Sequence, residues 1–370
     1  MAKEEEFENL QKEIDMTNTK DGSVGEHLEK KKLFNPEGTD DVNQRKIVGG
    51  NTTNLFNLNN IKYKWATNLY RVMMGNFWIP EKVDLTADSL DYSKLTWHET
   101  RAFEGIISFL VFLDSIQTNN IPNIADWITA PEVSTILSIQ TYQEAIHSQS
   151  YAYIIESVVP KDKREKLYNF WKDDKILLER NKHIAQIYQE FVDDQSEENF
   201  AKVILANYIL EGLYFYNGFI FFYNLASRNL MLGVADEIKY INRDEFTHIV
   251  IFKEIIKSIM KEKPELITEE LVHQMFKEAT EQEIKWSNHI LDNHILGINE
   301  ESIEKYTKFL ANLRIEMLGF KKLYEGYEKN PYAHIEKLAD SSNDGVKSNF
   351  FESTVTNYNQ SSSVDGWDDI

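Results

Sequence analysis

From about residue 54 to about residue 335, apolar residues recur at intervals of three and four, the periodicity of helices. Alternating strand-like patterns between Gly or Pro turns are nearly absent, so the sequence predicts an all-α fold. Two capping-box motifs predict helix starts: Thr96 to Glu99 and Thr129 to Glu132. Three prolines between periodic segments predict helix ends: Pro122, Pro160 and Pro264.

The two ends of the chain lack this periodicity. Residues 1–50 are polar and charged and predict a flexible arm, and residues 337–370 are rich in Ser, Asn and Asp and predict a tail that is disordered when free. Residues 51–336 form the predicted helical domain. The apolar stretch 203–226 contains Glu211 and three asparagines, so a helix buried within the protein explains it better than a membrane span.

Two predicted helices carry a Glu-x-x-His pair at the centre of an apolar stripe. Glu144 and His147 lie on the face that runs from Leu137 to Val158, and Tyr151 lies one helical turn further, about 6 Å along the axis. Glu245 and His248 occupy the same position in a stripe of isoleucines and Phe252. Because a buried carboxylate without compensation costs several kcal/mol, each pair needs a cation or strong hydrogen-bond partners.

Two further helices each place one acid in a similar stripe, Asp114 and Glu211. One acid from each of two helices and Glu-x-x-His from each of two others is the ligand set of ferritin-like dimetal carboxylate bundles. We therefore expect a ferritin-like helical bundle with a dinuclear metal site between four core helices. The alternative is a bundle whose buried acids pair with Arg or Lys, but no basic residue lies on the four stripes. A third Glu-x-x-His, Glu270 to His273, lies in a polar helix and is expected to be solvated.

Charge and composition exclude several classes of protein. The chain has 40 Lys plus Arg against 60 Asp plus Glu, and a net charge of −20 repels nucleic acid. The absence of cysteine excludes disulfides, thiolate metal sites and a cysteine nucleophile, and it fits a reducing compartment. No secretory signal is visible, and we expect a cytoplasmic protein that binds neither membrane nor nucleic acid.

With its context, the constellation resembles the small (β) subunit of class I ribonucleotide reductase over roughly residues 55–335. The matching segments are NFWIPEKVDL (76–85), FLDSIQ (112–117), QEAIHSQSY (143–151), LEGLYFYNGF (210–219) and NRDEFTH (242–248). The resemblance implies six metal ligands: Asp114, Glu144, His147, Glu211, Glu245 and His248. It implies that Tyr151 carries a stable radical, which leaves through Trp78 and the tail tyrosine Tyr358, and that Asp244 links Trp78 to the metal-bound His147.

The resemblance also implies an activity and partners. The reduction of ribonucleoside diphosphates needs cysteines that this chain lacks, so a separate large (α) subunit, docked by the C-terminal tail, is expected to supply them. A homodimer is expected by analogy. The alternative function is a ferritin-like dimetal oxidase or oxygenase acting on a small or lipid-like substrate, which does not need Trp78 or a tyrosine-bearing tail.

The sequence narrows the choice of metal without fixing it. Two ions per chain are expected, with iron the first choice and manganese the second, because imidazole and oxygen ligands suit both metals. Tyr151 argues against a mixed manganese–iron pair, and the complete ligand set argues against a metal-free variant. Activation uses either oxygen directly or superoxide delivered by a flavoprotein activator.

Overall fold

The computed structural model describes residues 28–340: residues 28–63 contain turns and loops without a helix, and helices joined by turns and loops follow from Lys64 onward. The only β-type pairing within this range is an isolated antiparallel bridge between Val48 and Ile128. The predicted all-α fold is therefore confirmed. In chain order the helices are α1 (Lys64–Gly75), α2 (Thr86–Tyr92), α3 (Trp97–Ala125), α4 (Pro131–Val158), α5 (Lys161–Asp173), α6 (Lys175–Asp193), α7 (Glu197–Ile209), α8 (Tyr216–Ser227), α9 (Leu232–Glu262), α10 (Glu269–Leu291), α11 (Glu300–Leu318) and α12 (Ala333–Asp340). A 3₁₀ turn spans Pro80–Lys82, and a π-helical turn, Leu210–Tyr214, joins α7 to α8.

Local sequence signals set some of the helix ends but not all of them. The Thr96 capping box forms as predicted and starts α3. The Thr129 box does not form, because the Glu132 carboxylate instead accepts hydrogen bonds from the backbone N–H groups of Lys62 and Tyr63. Pro122 does not end α3, which continues to Ala125.

The centre of the molecule is built from α3, α4, the α7–α8 segment and α9. All four ligand stripes predicted from the periodicity face this centre, and their members are at most 4% exposed. The apolar stretch 203–226 spans parts of α7 and α8, and the protein itself buries nearly all of it. Between residues 28 and 340 no helix is both long enough and apolar enough to cross a bilayer.

The described part of the N-terminal segment is packed, which differs from the flexible arm expected from its composition. Ile47 and Val48 are buried against the helical domain. Arg45 forms an ion pair of 3.1 Å with Glu132, and both side chains are almost fully buried. Lys31 Nζ donates to the carbonyl oxygens of Ala125 and Ile128. Ala125 is the last residue of α3, and Ile128 lies three residues after it. These contacts join residues far apart in the chain, so local polarity did not reveal them.

The C-terminal boundary also differs from the expectation. Helix α12 includes residue 337 and reaches Asp340, the last of the described residues. Tyr358 and the rest of the predicted tail lie outside the described residues, as do residues 1–27.

Candidate metal centre

Six side chains from the four core segments converge in the interior. Asp114 comes from α3, Glu144 and His147 from α4, Glu211 from the π turn, and Glu245 and His248 from α9. All six are fully buried. Their ligand atoms form two groups of four, each within 4.8 Å of one another: Asp114, Glu144, His147 and Glu245 in the first, and Glu144, Glu211, Glu245 and His248 in the second. Because Glu144 and Glu245 belong to both groups, the geometry fits two neighbouring ions that share two carboxylates.

Unpaired buried atoms provide an independent test of that fit. Seven atoms of the cluster make no hydrogen bond of regular geometry, although some lie close to one another: both carboxylate oxygens of Asp114 and of Glu144, one oxygen each of Glu211 and Glu245, and His147 Nδ1. Leaving so many polar atoms unpaired in the interior is costly. Two divalent cations would satisfy these atoms and offset the charge of four carboxylates, so the residues present fit a dimetal centre.

The two histidines are oriented in the same way. His147 Nδ1 lies 3.0 Å from Glu245, and its Nε2 lies 3.4 Å from Asp244. His248 Nδ1 lies 3.1 Å from Glu144, and its Nε2 lies 3.1 Å from the Gln143 side-chain oxygen. In each ring Nδ1 faces the cluster while Nε2 faces an outer oxygen. Such an outer acceptor fixes the tautomer and the orientation of a ligating imidazole.

The π turn sets the position of Glu211. A π turn inserts one residue into a helix and leaves backbone groups without their usual partners, and such turns often occur at functional sites. Here two buried arginines donate to carbonyl oxygens of the turn: Arg314 Nε to Gly212 at 3.1 Å and Arg180 to Tyr214 at 3.3 Å. A Cβ on Gly212 would lie only 3.1–3.2 Å from the Arg314 side chain, so this close approach favours glycine.

Side-chain amides hold the Glu211 carboxylate from the other side. Gln117 and Gln140 both donate to Glu211 Oε1, at 2.5 and 2.9 Å. Tyr188 donates in turn to the Gln117 side-chain oxygen at 2.7 Å. One oxygen of Glu211 is thus committed to amides, which leaves Oε2 to face the cluster.

Mutual repulsion and burial perturb the titration of the cluster. Burial, together with repulsion from Glu144 and Glu245, raises the pKa of Asp114 well above its usual range. Burial and the same two carboxylates raise the pKa of Glu211 in the same way. Burial lowers the pKa of His147 and His248, but hydrogen bonds and charge from the surrounding carboxylates outweigh it and raise both values. The raised pKa values favour protonation of these four groups when no cation is bound.

Tyr151 is fully buried beside the first group of ligands. Burial and repulsion from Asp114 and Glu245 raise the pKa of its phenol well above the usual range. Its hydroxyl lies beside the Asp114 carboxyl group, but no hydrogen bond of regular geometry joins it to any described atom. The phenol therefore keeps its proton and is shielded from water.

A hydrogen-bonded path leads from the cluster towards the surface. The indole N–H of Trp78 donates to Asp244 Oδ2 at 2.9 Å, and the same oxygen lies 3.4 Å from His147 Nε2. Arg243 binds the other oxygen of Asp244. Asp244 is fully buried and Trp78 is 9% exposed, so this path ends next to solvent.

Comparisons with known proteins identify the family and agree with this fold. The family model described as "Ribonucleotide reductase, small chain" matches residues 55–331. The ribonucleoside-diphosphate reductase subunit beta of Treponema pallidum is 46% identical over 340 residues, which cover 91% of this chain and 97% of that protein. This chain belongs to the ribonucleotide reductase small-chain family.

Solved structures support the same assignment of family and fold. The ribonucleotide reductase R2 subunit from Clostridium botulinum has a TM-score of 0.82 at 47% identity, with 85% of this chain and 99% of that chain covered. The dimanganese(II) NrdF of Streptococcus sanguinis has a TM-score of 0.69 at 20% identity, with 77% and 99% covered, and shows similarity of fold alone. The expected family and the ferritin-like fold are confirmed.

Several residues around the metal centre were not predicted from the sequence. Gln117 and Gln140 lay on the ligand stripes, and that position was the signal that could have identified them. Tyr240 stacks on Trp78, with ring centroids 5.1 Å apart, and it lies one turn before Asp244 on the same helix. No pattern in the sequence indicated that Arg180 and Arg314 bind the π turn, because both are distant from it along the chain. The Glu270 to His273 copy is partly exposed, and His273 contacts only a backbone carbonyl and Glu269 among the described residues.

Metal uptake by metal-free protein should become tighter as pH rises. The raised pKa values of Asp114, Glu211 and the two histidines keep protons in the site near neutral pH, and incoming ions must displace them. We expect affinity to change roughly tenfold per pH unit for each proton displaced. Competition of Mn²⁺ against a chelator between about pH 6 and 8 measures this. An affinity independent of pH, after correction for the chelator, would contradict it.

Arg314→Met should weaken the second ion site. The substitution leaves the buried Gly212 carbonyl without its donor, which costs about 1–3 kcal/mol and frees the turn that carries Glu211. We expect a lower melting temperature and a metal content that falls from two ions per chain towards one. Lys308→Met removes a cation from a partly exposed position of the same helix and is the control. Unchanged metal content in Arg314→Met would refute this role.

Proposed function

We propose that this small subunit generates and stores a radical on Tyr151 and passes it to a large subunit that reduces ribonucleotides. The observation that carries this proposal is a phenol sealed in the interior next to a cluster of six ligand groups. When bound, the two ions supply redox chemistry with an oxygen species. Iron is the first choice and manganese the second, since the donor set suits both.

Oxidation of Tyr151 removes one electron and the proton on Oη. The raised pKa means that the resting side chain is a neutral phenol. Once cations replace the protons of the site, Asp114 is ionised; it is the nearby acid whose charge acts most strongly on that phenol, and we assign the Asp114 carboxylate as the proton acceptor. Burial keeps water and external reductants away from the resulting radical, which favours its storage.

Transfer out of the interior uses Trp78 and Asp244. The shared Oδ2 atom of Asp244 links the Trp78 indole to His147, so an electron can move inward from Trp78 while Asp244 fixes both rings. Tyr358, which lies outside the described residues, is proposed as the next carrier, on a tail that docks the large subunit. Because the chain has no cysteine, the substrate-reducing thiols must belong to that partner.

The family's assembly and activation are carried over as part of the same proposal. We assign a homodimer by analogy with the family. Activation uses either oxygen itself or superoxide from a flavoprotein, and the metal present decides which. Metal analysis of the active protein, together with its electron paramagnetic resonance spectrum, distinguishes an iron centre from a manganese centre and so the two routes of activation.

Tyr151→Phe tests the storage of the radical. The change removes only the hydroxyl of a buried ring, so metal content should be unchanged while the tyrosyl doublet in electron paramagnetic resonance disappears. Turnover with the large subunit should fall by at least about three orders of magnitude, or about 4 kcal/mol. Tyr153→Phe is the matched control, because its hydroxyl donates to the Val83 carbonyl outside the cluster. A tyrosyl doublet that persists in Tyr151→Phe would overturn the assignment.

Trp78→Phe tests the exit path. The substitution removes the indole N–H that binds Asp244 but no ligand, so metal content and the yield of tyrosyl radical should match the wild type. Turnover with the large subunit should fall by about two orders of magnitude or more, equal to about 2.7 kcal/mol. Trp171→Phe, in a ring stacked on Phe112, is the control. Wild-type turnover in Trp78→Phe would exclude this tryptophan from the path.

A further inference from the structure

We infer that His98, Asp292 and His294 form a separate surface site for one divalent transition-metal ion. This inference goes beyond the proposed function and does not depend on it. His98 lies in the first turn of α3, Asp292 directly follows α10, and His294 lies two residues further. The three residues therefore join the start of one core helix to the turn that precedes α11.

The ligand atoms are already close together. Asp292 Oδ2 lies 2.8 Å from His98 Nδ1, and Asp292 Oδ1 lies 3.4 Å from His294 Nδ1. One atom from each residue can be chosen so that all three lie within 4.8 Å of one another. Ligands at about 2.0–2.1 Å around a tetrahedral Zn²⁺ are separated by about 3.3 Å, so each of these separations has to change by no more than about 1.5 Å.

The exposure of the three side chains makes that movement feasible. The rings of His98 and His294 stack with centroids 4.2 Å apart and planes 9° apart. Coordination of one ion by both Nδ1 atoms requires one ring to turn out of this stack. His294 has 67% of its side chain exposed and can turn, whereas His98 and Asp292 are about one third exposed and are held more firmly.

The donor set determines the class of ion. Two imidazoles and one carboxylate suit Zn²⁺, Ni²⁺ and Cu²⁺, with water completing the coordination. The main centre differs, since it has four buried carboxylates for two ions. We therefore expect the surface site to prefer Zn²⁺ or Cu²⁺ over Mn²⁺, following the general order of affinities.

The experiment uses full-length protein with its dimetal centre already loaded and titrates Zn²⁺ by calorimetry. We expect one further Zn²⁺ per chain in the wild type, and at least a tenfold loss of affinity in His98→Ala and in His294→Ala. His273→Ala removes a partly exposed histidine from α10 and should bind like the wild type. The tyrosyl radical yield should be unchanged in all three variants, which separates this site from the radical centre.

Trp97 provides a second readout for the same site. Its ring meets the His98 ring edge to face at 4.8 Å, so Cu²⁺ bound there should quench its fluorescence. The quenching should be absent in Trp97→Phe and reduced in His294→Ala. If no additional Zn²⁺ binds, or if binding and quenching persist in both histidine variants, the three residues form only a hydrogen-bonded surface cluster and the inference is wrong.

Discussion

The structure depends on the placement of four carboxylates and two imidazoles in an interior with no basic side chain among the ligand stripes. Isolated buried charges are too costly to persist, so this core is complete only when cations or protons balance it. The raised pKa values of Asp114 and Glu211 express that imbalance directly. The surrounding amides and outer acceptors orient the ligands. They bind the ligand atoms that face away from the cluster, so the other ligand atoms point towards its centre.

The π turn at Leu210–Tyr214 solves a geometric problem within this arrangement. An uninterrupted helix from α7 to α8 would keep a fixed register, whereas the inserted residue shifts the face that carries Glu211 relative to α8. The carbonyl groups released by the turn lie in the interior, where water does not reach them. Arg180, paired with Glu283, and Arg314 supply the missing donors. Cations therefore do lie near the centre, but they bind backbone oxygens and not the ligand carboxylates, which leaves those carboxylates available to metal.

Periodicity was sufficient to predict the helices and the stripes, because burial of a helix face leaves a local signature every three or four residues. The same periodicity indicated six candidate ligands, because each interrupts an apolar stripe: Asp114, Glu144, His147, Glu211, Glu245 and His248. The remaining features depend on contacts between distant parts of the chain. The packing of Arg45 against Glu132 and of Arg314 against Gly212 leaves no periodic pattern. The Thr129 capping box failed for a related reason, because Glu132 had stronger partners elsewhere in the fold than the local N–H group.

Under the proposed function, storage of a radical requires isolation of a side chain, whereas transfer requires contact with the exterior, and the two ends of the proposed path differ in this way. Tyr151 is fully buried, and its hydroxyl lies beside Asp114, so it is isolated from solvent. Trp78 is hydrogen-bonded, stacked on Tyr240 and close to the surface, where it helps to line an apolar cavity of about 270 Å³. His147 and Asp244 lie between these two environments. Because Arg243 holds one oxygen of Asp244 while the other faces both rings, the carboxylate cannot rotate freely, and the spacing of Trp78 and His147 is fixed by the fold itself.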